Sequence, residues 1–298
     1  MATLTSLRQL QYLVALDSKL SFTRAAHLCH ASQPTLSAGL KELERLLGVR
    51  LVERDRQSVM MTPIGREVSE RARAILAAAR DLTEFAAAGA QPMTGLLRLG
   101  VIPTIAPFLL PRCVSALRKR YPQLQLALRE DLTASLLARL RGGELDFVLF
   151  ALPFDSSNLL VEPLFDDDLW IVGRREDRQL KAARVTVTSA LADRLLLLEE
   201  GHCLRDHTLH ACGATERHRE NGLEATSLLT LVQMIESDLG VGLVPEMAVR
   251  SGLTKSPRLL ARPLAKPCPS RTIALAARRS TSRLADMQAL AAVLRDSN

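Results

Sequence analysis

The sequence lacks any apolar run long enough to cross a membrane, which takes about 20 consecutive residues. Its first residues, Met1 to Ser6, lack the basic stretch and apolar core of an export signal. Its five cysteines are odd in number and scattered, which argues against a structural disulfide framework. We therefore expect a cytoplasmic protein with no membrane partner, in a compartment that keeps thiols reduced.

The composition is that of an ordinary globular protein, with 47% hydrophobic and 24% charged residues. A length of 298 residues allows two or three domains, each with its own core. The net charge of +7 permits an anionic partner without identifying one. Residues 1–90 carry 12 Lys and Arg against 9 Asp and Glu, so a basic surface there depends on local arrangement.

Three short helices are predicted before residue 50. Ser6 and Gln9 form a capping-box pattern at the start of the first helix, and Ser21 can cap a second over Phe22 to Cys29. Ser32 can cap a third, which ends at Gly48. Two helices joined by a tight turn, the second polar at its N-terminus, are typical of a helix-turn-helix.

The third helix predicts a DNA-reading face. Gln33, Ser37 and Lys41 fall on one exposed side, with Thr35 beside them. Glutamine can pair with adenine, hydroxyls reach base edges or phosphate, and lysine neutralises phosphate. The alternative is the solvated face of a small helical domain, and the spacing alone does not decide between the two.

A wing and a long helix follow. Leu51 to Met61 predicts a two-stranded wing with Arg54 and Arg56 near its tip, and Thr62-Pro63 starts a helix through about Ala88. A helix of about 25 residues, or 37 Å, is longer than a small domain can cover, which favours a dimerising coiled coil. Its approximate heptad stripe consists of Ile64, Val68, Ala72, Ile75, Leu82 and Phe85.

These segments resemble the winged helix-turn-helix of LysR-type transcriptional regulators. The resemblance lies in Phe22 to Ala26, Ser32 to Ser37, Leu43-Glu44, Leu47-Gly48, Leu51 and Glu53-Arg54. It implies a DNA-binding domain over residues 1–62 and a dimerising linker helix over residues 63–89. The residues that would then face DNA are Ser32, Gln33, Pro34, Thr35, Ser37, Lys41, Arg54 and Arg56.

Beyond a hinge at residues 90–95, strand and helix patterns alternate, which favours a parallel sheet flanked by helices. The first set runs from Leu96 to Leu152 and a second begins at Leu169. Arg271 to Ala277 reads as a strand returning to the first set. We expect two α/β lobes, residues 96–168 with 269–298 and residues 169–268, with a ligand cleft at the strand ends.

Three residues mark this cleft. Thr104, Thr133 and Cys203 each follow a predicted strand and precede a helix, where free backbone N–H groups point outward. Helix capping is the alternative for both threonines. Cys203 lies between His202 and Arg205, surroundings that favour a thiolate, and this tips the balance towards a site.

Cys203 and Cys212 are spaced for a switch. If residues 204–211 are helical, the two Cα atoms lie about 13 Å apart, whereas a disulfide needs them within roughly 7 Å. A bond between them would require the helix to unravel. Redox sensing is therefore our leading hypothesis.

The remaining metal ligands and thiols are given simpler interpretations. Cys203, His207 and His210 fall on one helical face, and a zinc site with Cys212 can be drawn. Those ligands would have to leave the helix together, so we expect no metal or other cofactor, and solvated histidines that could tune the pH dependence of the switch. We expect Cys29 and Cys113 in cores and Cys268 in a loop.

Further segments are similar to the peroxide-sensing members of the LysR family, over nearly the whole chain. They are Ile102 to Thr104, Gly201 to Asp206 with Cys212, Ala225 to Leu228, Gly242 to Pro245 and Arg271 to Ile273. The similarity implies a two-lobed regulatory domain like the periplasmic binding proteins. It also implies a homotetramer, a dimer of dimers, that binds double-stranded DNA, works with RNA polymerase and is reduced by glutaredoxin or thioredoxin.

The same similarity assigns roles at the cleft. Cys203 would be the peroxidatic thiolate and Cys212 would resolve it as a disulfide. Thr104, Thr133 and His202 would hold hydrogen peroxide, and Arg271 and Arg205 would stabilise the thiolate. Two alternatives stay open: a LysR-type regulator of an organic effector, and a thiol peroxidase, against which the DNA-binding third argues.

Overall fold

The structure is a computed structural model that describes residues 4–54, 59–87, 91–212 and 223–298. The chain divides into two compact units, Met1–Ala90 with Arg141–Glu144, and Gln91–Leu140 with Leu145–Asn298. Within the described ranges, none of the helices is long and apolar enough to span a membrane.

The first unit is the predicted winged helix-turn-helix followed by a long helix. Its elements are α1 (Leu7–Lys19), α2 (Phe22–Leu28), α3 (Gln33–Leu47), β1 (Val52–Arg54), β2 (Val59–Met61) and α4 (Pro63–Ala87). The capping box at Ser6 and Gln9 is present, and the hydroxyls of Ser21 and Ser32 accept from backbone N–H groups as expected. Gly48 ends α3 with a φ of 67°, a left-handed conformation that glycine adopts without steric cost.

Leucine packing positions α3 in this unit. Leu36, Leu40 and Leu43 are fully buried with Leu13 and Leu16 of α1, which leaves the opposite face of α3 outward. Burial of this stripe against α1 is the main source of stability for so small a domain.

The wing is hydrogen-bonded to α3, and its two strands pair with each other as predicted. Glu44 accepts hydrogen bonds from the backbone N–H groups of Leu51 and Val52, at 2.8 and 3.1 Å. β1 and β2 pair antiparallel from Val52 opposite Met61 to Arg54 opposite Val59. Arg56, expected at the wing tip, lies outside the described residues, as does the side chain of Arg54.

One part of the apolar stripe of α4 is buried in the helix-turn-helix core and another part is exposed. Val68, Ala72 and Leu76 pack into the helix-turn-helix core, so they are not available to a coiled coil. Ile75 and Leu82, by contrast, are 50% and 70% exposed. Of the approximate heptad stripe expected from the sequence, Val68 and Ala72 therefore pack into the domain core, and Ile64 is exposed like Ile75 and Leu82.

The second unit contains the remaining elements. They are β3 (Gly95–Val101), α5 (Ala106–Arg120), β4 (Leu124–Glu130), α6 (Thr133–Arg141), β5 (Phe147–Leu152), β6 (Leu159–Arg174), α7 (Ser189–Ala192), β7 (Leu197–Leu198), α8 (Cys203–Ala211), β8 (Glu224–Ala225), α9 (Leu228–Glu236), β9 (Gly242–Pro245), α10 (Glu246–Arg250), β10 (Leu259–Pro263), β11 (Ser270–Arg278) and α11 (Leu284–Asp296).

The main sheet is mixed, not parallel as expected. Its described strand order is β10-β6-β11-β5-β3-β4, with β9 also paired to β6. Only β3 with β4 and β3 with β5 pair parallel, while β6 and β11 pair antiparallel with each of their neighbours. The difference arises because the returning strand β11 inserts between β5 and the 16-residue β6, which continues through both lobes.

Two separate apolar cores support the two lobes. The first surrounds β3, β5 and β11 with α5, α6 and α11, and the second surrounds the distal half of β6 with β9 and α9. The expected pair of lobes is therefore present. β6 and β11 form the connection between them, and Cys203 is buried in the first core although α8 belongs to the second lobe.

Candidate functional site

The two cysteines lie at opposite ends of α8. Cys203 is the first residue of the helix, His202 is its N-cap, and Cys212 is its C-cap. Both thiols are free. The wound helix separates the two Cα atoms by about 13 Å at 1.5 Å per residue. In this conformation no disulfide between them is possible.

A glycine turn places the start of α8 against the start of α6. Gly201 has a φ of 95°, which L side chains rarely adopt. A Cβ at this position would also lie 2.9 Å from Cδ1 of Leu132, the residue before α6. The close approach of these two segments brings Cys203 beside Thr133.

Thr133 is buried at the first position of α6. Its Oγ1 has no hydrogen-bond partner of good geometry, yet its interaction with the Cys203 thiol lowers the pKa of that thiol. The hydroxyl therefore does not serve as a helix cap in the structure, which removes the simpler of the two sequence interpretations for this residue.

Thr104 is held by Arg271, a fully buried arginine on β11. Arg271 donates through Nη1 to Thr104 Oγ1 at 2.7 Å and through Nη2 to the Thr104 carbonyl at 3.0 Å. Its Nε and Nη2 also donate to Asp167 Oδ2, at 3.1 and 2.9 Å. The guanidinium is therefore fixed between a charged acceptor, Asp167, and a neutral one, Thr104.

The net effect of these surroundings is to raise the pKa of Cys203. Burial is the largest cause, and it outweighs the lowering by Arg271, by Thr133 and by the backbone N–H of Leu204. Asp206 raises the pKa further. Burial thus opposes the thiolate that the sequence leads us to expect, and Arg271 is the group that most favours the anion.

Arg205 lies elsewhere than the sequence suggested. Its Nη1 donates to the Leu198 carbonyl at 2.8 Å and to Glu224 Oε1 at 2.6 Å, and its guanidinium is buried. Arg205 thus contacts β7 and β8, whereas Arg271 is the arginine whose charge acts on the Cys203 thiol.

His202 is buried beside Cys203. Burial lowers its pKa, while Glu199 and a hydrogen bond to the backbone of Thr226 raise it in part. A neutral imidazole at this place can accept one hydrogen bond and donate another. The structure therefore places Thr133 and Arg271 close enough to act on the Cys203 thiol, and Thr104 against Arg271, while the ring of His202 is near Glu199 and Thr226.

The two additional histidines of α8 have different surroundings. His207 is buried and His210 is exposed. In the part of the chain that the structure describes, no three His, Cys, Asp or Glu side chains converge in a metal-binding arrangement. The interpretation of both as solvated histidines is wrong for His207.

The other cysteines lie largely as expected. Cys113 is fully buried in the first core, and burial raises its pKa to about 11. Cys29 packs at the edge of the helix-turn-helix core. Cys268 packs partly against the second core. Burial also raises the pKa of Cys212 to about 11.

The face of α3 that the sequence predicts to read DNA is accessible. Gln33, Thr35 and Lys41 are exposed and Ser37 is half-buried. Gln33 Oε1 accepts from Thr23 at 3.2 Å, which orients its amide. Ser32 and Thr35 share a hydroxyl–hydroxyl hydrogen bond of 2.7 Å, and Pro34 occupies the first turn.

Asp167 and Glu224 were missed by the sequence reasoning. Asp167 is buried and fixes Arg271, and its Oδ1 also accepts from the Met247 N–H at 3.0 Å. The run Asp166-Asp167-Asp168 next to an apolar strand was a usable signal, because a buried strand tolerates an acidic residue only when it is paired. Glu224 carried no such signal.

Two family models match the chain. The bacterial regulatory helix-turn-helix protein model of the LysR family matches residues 7–66, and the LysR substrate binding domain model matches residues 90–298.

Curated relatives match along nearly the whole length. The HTH-type transcriptional regulator EstR of Acinetobacter baylyi is 45% identical over 296 residues, 99% of this chain and 98% of that protein. A probable hydrogen peroxide-inducible genes activator of Streptomyces viridosporus is 42% identical, over 98% and 94% of the two chains. The dual regulator OxyR of Escherichia coli K12 is 36% identical, over 97% and 95%.

Solved structures of OxyR are also similar. A cysteine-to-aspartate variant of full-length OxyR from Pseudomonas aeruginosa aligns with a TM-score of 0.80 at 37% identity, over 99% of both chains. A hydrogen peroxide-bound cysteine-to-serine mutant of Corynebacterium glutamicum OxyR aligns with a TM-score of 0.68 at 31% identity, over 100% of this chain and 94% of that one. The chain therefore belongs to the LysR family of DNA-binding bacterial transcriptional regulators.

Proposed function

We propose that this regulator senses hydrogen peroxide through Cys203 and is switched by a disulfide between Cys203 and Cys212. The observation that carries the proposal is the placement of Cys203. Its thiol lies at the N-terminus of α8, next to the Thr133 hydroxyl and within the field of the buried Arg271. The second thiol, Cys212, lies at the other end of the same helix.

The reaction follows from these groups. The Cys203 thiol loses its proton, its sulfur attacks one peroxide oxygen, and the O–O bond breaks to give a sulfenic acid and one water. Arg271 stabilises the thiolate during this step, and the hydroxyls of Thr104 and Thr133 with the His202 ring orient peroxide. Cys212 then attacks the sulfenic sulfur, which forms the disulfide and releases a second water.

The switch is mechanical. The Cα atoms of the two cysteines are about 13 Å apart and must approach to within roughly 7 Å, so α8 has to unwind for the disulfide to form. The Arg205–Glu224 ion pair and the packing of Cys212 against the second core would be lost with it. Oxidation at one atom thereby becomes rearrangement of the second lobe.

Several relatives support peroxide as the signal. Hydrogen peroxide-inducible genes activators match nearly the whole chain, and a cysteine-to-serine mutant of Corynebacterium glutamicum OxyR has been solved with hydrogen peroxide bound. The proposal extends that chemistry to Cys203 of this chain.

The output is DNA binding by an oligomer. In the proposed assembly, residues 1–62 bind double-stranded DNA and residues 63–89 dimerise, with Ile75 and Leu82 of α4 as exposed apolar contacts. Two dimers form a homotetramer through the regulatory lobes, residues 96–168 with 269–298 and residues 169–268, linked by the hinge at residues 90–95. The spacing of its four DNA-binding domains would then change on oxidation.

The cellular setting completes the cycle. Glutaredoxin or thioredoxin would reduce the disulfide by thiol exchange, and RNA polymerase would read the altered DNA complex. A cytoplasmic location suits a sensor that rests in the reduced form. No enzymatic turnover is needed for this role, since each oxidation event is itself the signal.

Peroxide titration of the full-length protein tests the proposal. Dilute hydrogen peroxide should produce a Cys203–Cys212 peptide by mass mapping, and Cys203→Ser should abolish both this peptide and reporter induction. Cys113→Ser is the matched control, because Cys113 lies on α5 and its thiol, like that of Cys203, is buried in the first core. Wild-type induction in Cys203→Ser would overturn the proposal.

An organic effector is the second candidate. The matched model is named a substrate binding domain, and EstR, a relative at 45% identity, is not named for peroxide. A regulator of this kind would keep its response after every accessible thiol had been alkylated. The Cys203→Ser reporter experiment therefore separates the two candidates directly.

A further inference from the structure

His207 is a buried histidine that the peroxide chemistry does not use. It lies in the middle of α8, one helical turn after Cys203, and is 8% exposed. Neither Nδ1 nor Nε2 has a hydrogen-bond partner among the described residues. Native structures rarely leave buried polar atoms unpaired, and one that does so at a functional site usually has a reason.

The surroundings keep this ring uncharged. Burial is the largest cause of a pKa lowered to about 4. The charged and titratable groups that act on the ring lower it as well: the Arg271 guanidinium on β11, and His210 on the same helix. At neutral pH the wound helix therefore contains a neutral imidazole in a position that disfavours a second cation beside Arg271.

Closing the disulfide would change these surroundings. His207 lies between the two cysteines, so it cannot keep its place on α8 when the segment unwinds. A histidine returned to water has an ordinary pKa of about 6.5. Between pH 6.5 and about 4 the ring is thus neutral in the wound, reduced form and protonated in the unwound, oxidised form.

We propose that His207 couples proton uptake to closure of the Cys203–Cys212 disulfide, because the wound helix buries its ring uncharged and the unwound segment returns the ring to water. The inference rests on the proposed peroxide switch. It makes this chain a peroxide sensor whose oxidised form is favoured by acid, through a residue that lies within the switching helix itself.

The proton balance of disulfide reduction determines in which direction pH shifts the equilibrium. Disulfide protein with a protonated His207, plus two glutathione thiols, gives dithiol protein with a neutral His207, glutathione disulfide and one proton. Both protein thiols have raised pKa values, so thiol exchange itself neither takes up nor releases protons near neutral pH. Falling pH therefore favours the oxidised form.

The size of the effect follows from the two pKa values. With 6.5 for the free ring and about 4 for the buried one, His207 raises the oxidised-to-reduced ratio about tenfold between pH 7.5 and pH 5.5. Tenfold in a two-electron equilibrium corresponds to about 30 mV.

The test equilibrates full-length protein with a fixed glutathione buffer at both pH values, with glutaredoxin as catalyst. Mass spectrometry after acid quenching measures the fraction of Cys203–Cys212 peptide. His207→Gln keeps a polar but uncharged side chain, and His207→Leu fills the position with apolar atoms. His210→Gln is the matched control: the same residue type on the same helix, already exposed while the helix is wound.

We expect the oxidised-to-reduced ratio of His210→Gln to rise about tenfold between pH 7.5 and pH 5.5, as in the wild type. In both His207 variants this tenfold rise should be absent. His202 is present in every variant, so any contribution from its ring cancels. A wild-type response in His207→Gln and His207→Leu would overturn the inference, as would an equal loss in His210→Gln. Those results leave the peroxide switch standing, whereas failure to form the Cys203–Cys212 peptide at either pH would overturn both.

Discussion

Arg271 holds Thr104 through both its side chain and its backbone: Nη1 lies 2.7 Å from Oγ1, and Nη2 lies 3.0 Å from the carbonyl oxygen. The opposite edge of the same guanidinium rests on Asp167. One arginine on β11 thus fixes a threonine after β3 and an aspartate on β6. The same cation lowers the pKa of Cys203. The contacts that fix the position of Arg271 therefore also fix where its charge acts.

The variant Arg271→Lys separates position from charge. A lysine keeps the positive charge but offers a single ammonium, which cannot reproduce four donor contacts on two partners. We expect a loss of about 1–3 kcal/mol in unfolding free energy, from acceptors left unpaired. Cys203 alkylation should also shift to higher pH.

Urea unfolding and the pH dependence of iodoacetamide labelling at Cys203 measure these two effects. Unchanged labelling in Arg271→Lys would mean that any nearby cation suffices and that the fork geometry has no part in activating the thiol.

Thr133→Val tests the hydroxyl beside the thiol. Because Thr133 Oγ1 lowers the pKa of Cys203, its removal should raise that pKa and slow sulfenic acid formation at neutral pH. Stability should change little, since the hydroxyl has no well-formed hydrogen bond to lose. Stopped-flow peroxide kinetics and thermal unfolding check both expectations.

Thr104→Val is the matched comparison. The valine leaves Arg271 Nη1 without its side-chain acceptor, so this variant should lose about 1–3 kcal/mol of stability as well as rate. Equal stability of the two valine variants would contradict the difference in hydrogen bonding between the two threonines.

Local patterns made much of the fold predictable from the sequence. Ser6 with Gln9, Ser21, Ser32 and Gly48 act within a few residues of their own helix ends, so the helix-turn-helix was predicted nearly residue by residue. The placement of Thr133 and Cys203 at the first positions of α6 and α8, and of Thr104 in the turn before α5, also follows from short-range strand and helix signals. These features need no knowledge of distant contacts.

Long-range pairing was not predictable in the same way. The pairing of β6 with β11, from Leu159 opposite Arg278 to Asp168 opposite Ser270, joins two segments that are remote from each other in the sequence. Arg205 and Arg271 look equally suited to stabilise a thiolate by residue type. Their different partners, Glu224 and Asp167, come from remote strands, and burial then raises the pKa of Cys203 against the expectation from its neighbours.

Glu224→Gln tests whether the ion pair with Arg205 holds α8 in its wound form. The glutamate side chain is partly exposed, so solvent screening limits its contribution to about 1 kcal/mol. Weakening it should leave sulfenic acid formation unchanged but speed closure of the disulfide several-fold, because in the proposed switch α8 unwinds before the second step. Rapid quenching with a sulfenic acid trap measures the two rates separately.

A suitable control is Glu246→Gln, which removes an ion pair with Arg250 on α10 and leaves α8 untouched. If Glu224→Gln and Glu246→Gln closed the disulfide at the same rate, the Arg205–Glu224 pair would have no part in retaining the helix.

On α3, Gln33→Ala and Lys41→Ala should weaken DNA binding in different ways. Lys41 is an exposed cation suited to phosphate, so its loss should weaken all duplexes and flatten the salt dependence by about one contact per domain engaged. Removing the Gln33 side chain, which Thr23 orients, should instead weaken binding by roughly 1–3 kcal/mol, and only on the preferred sequence. Titrations of specific and scrambled duplexes at several salt concentrations separate these effects. If Gln33→Ala weakened both duplexes equally, α3 would not read a base at that position, and specificity would have to come from the wing or from DNA shape.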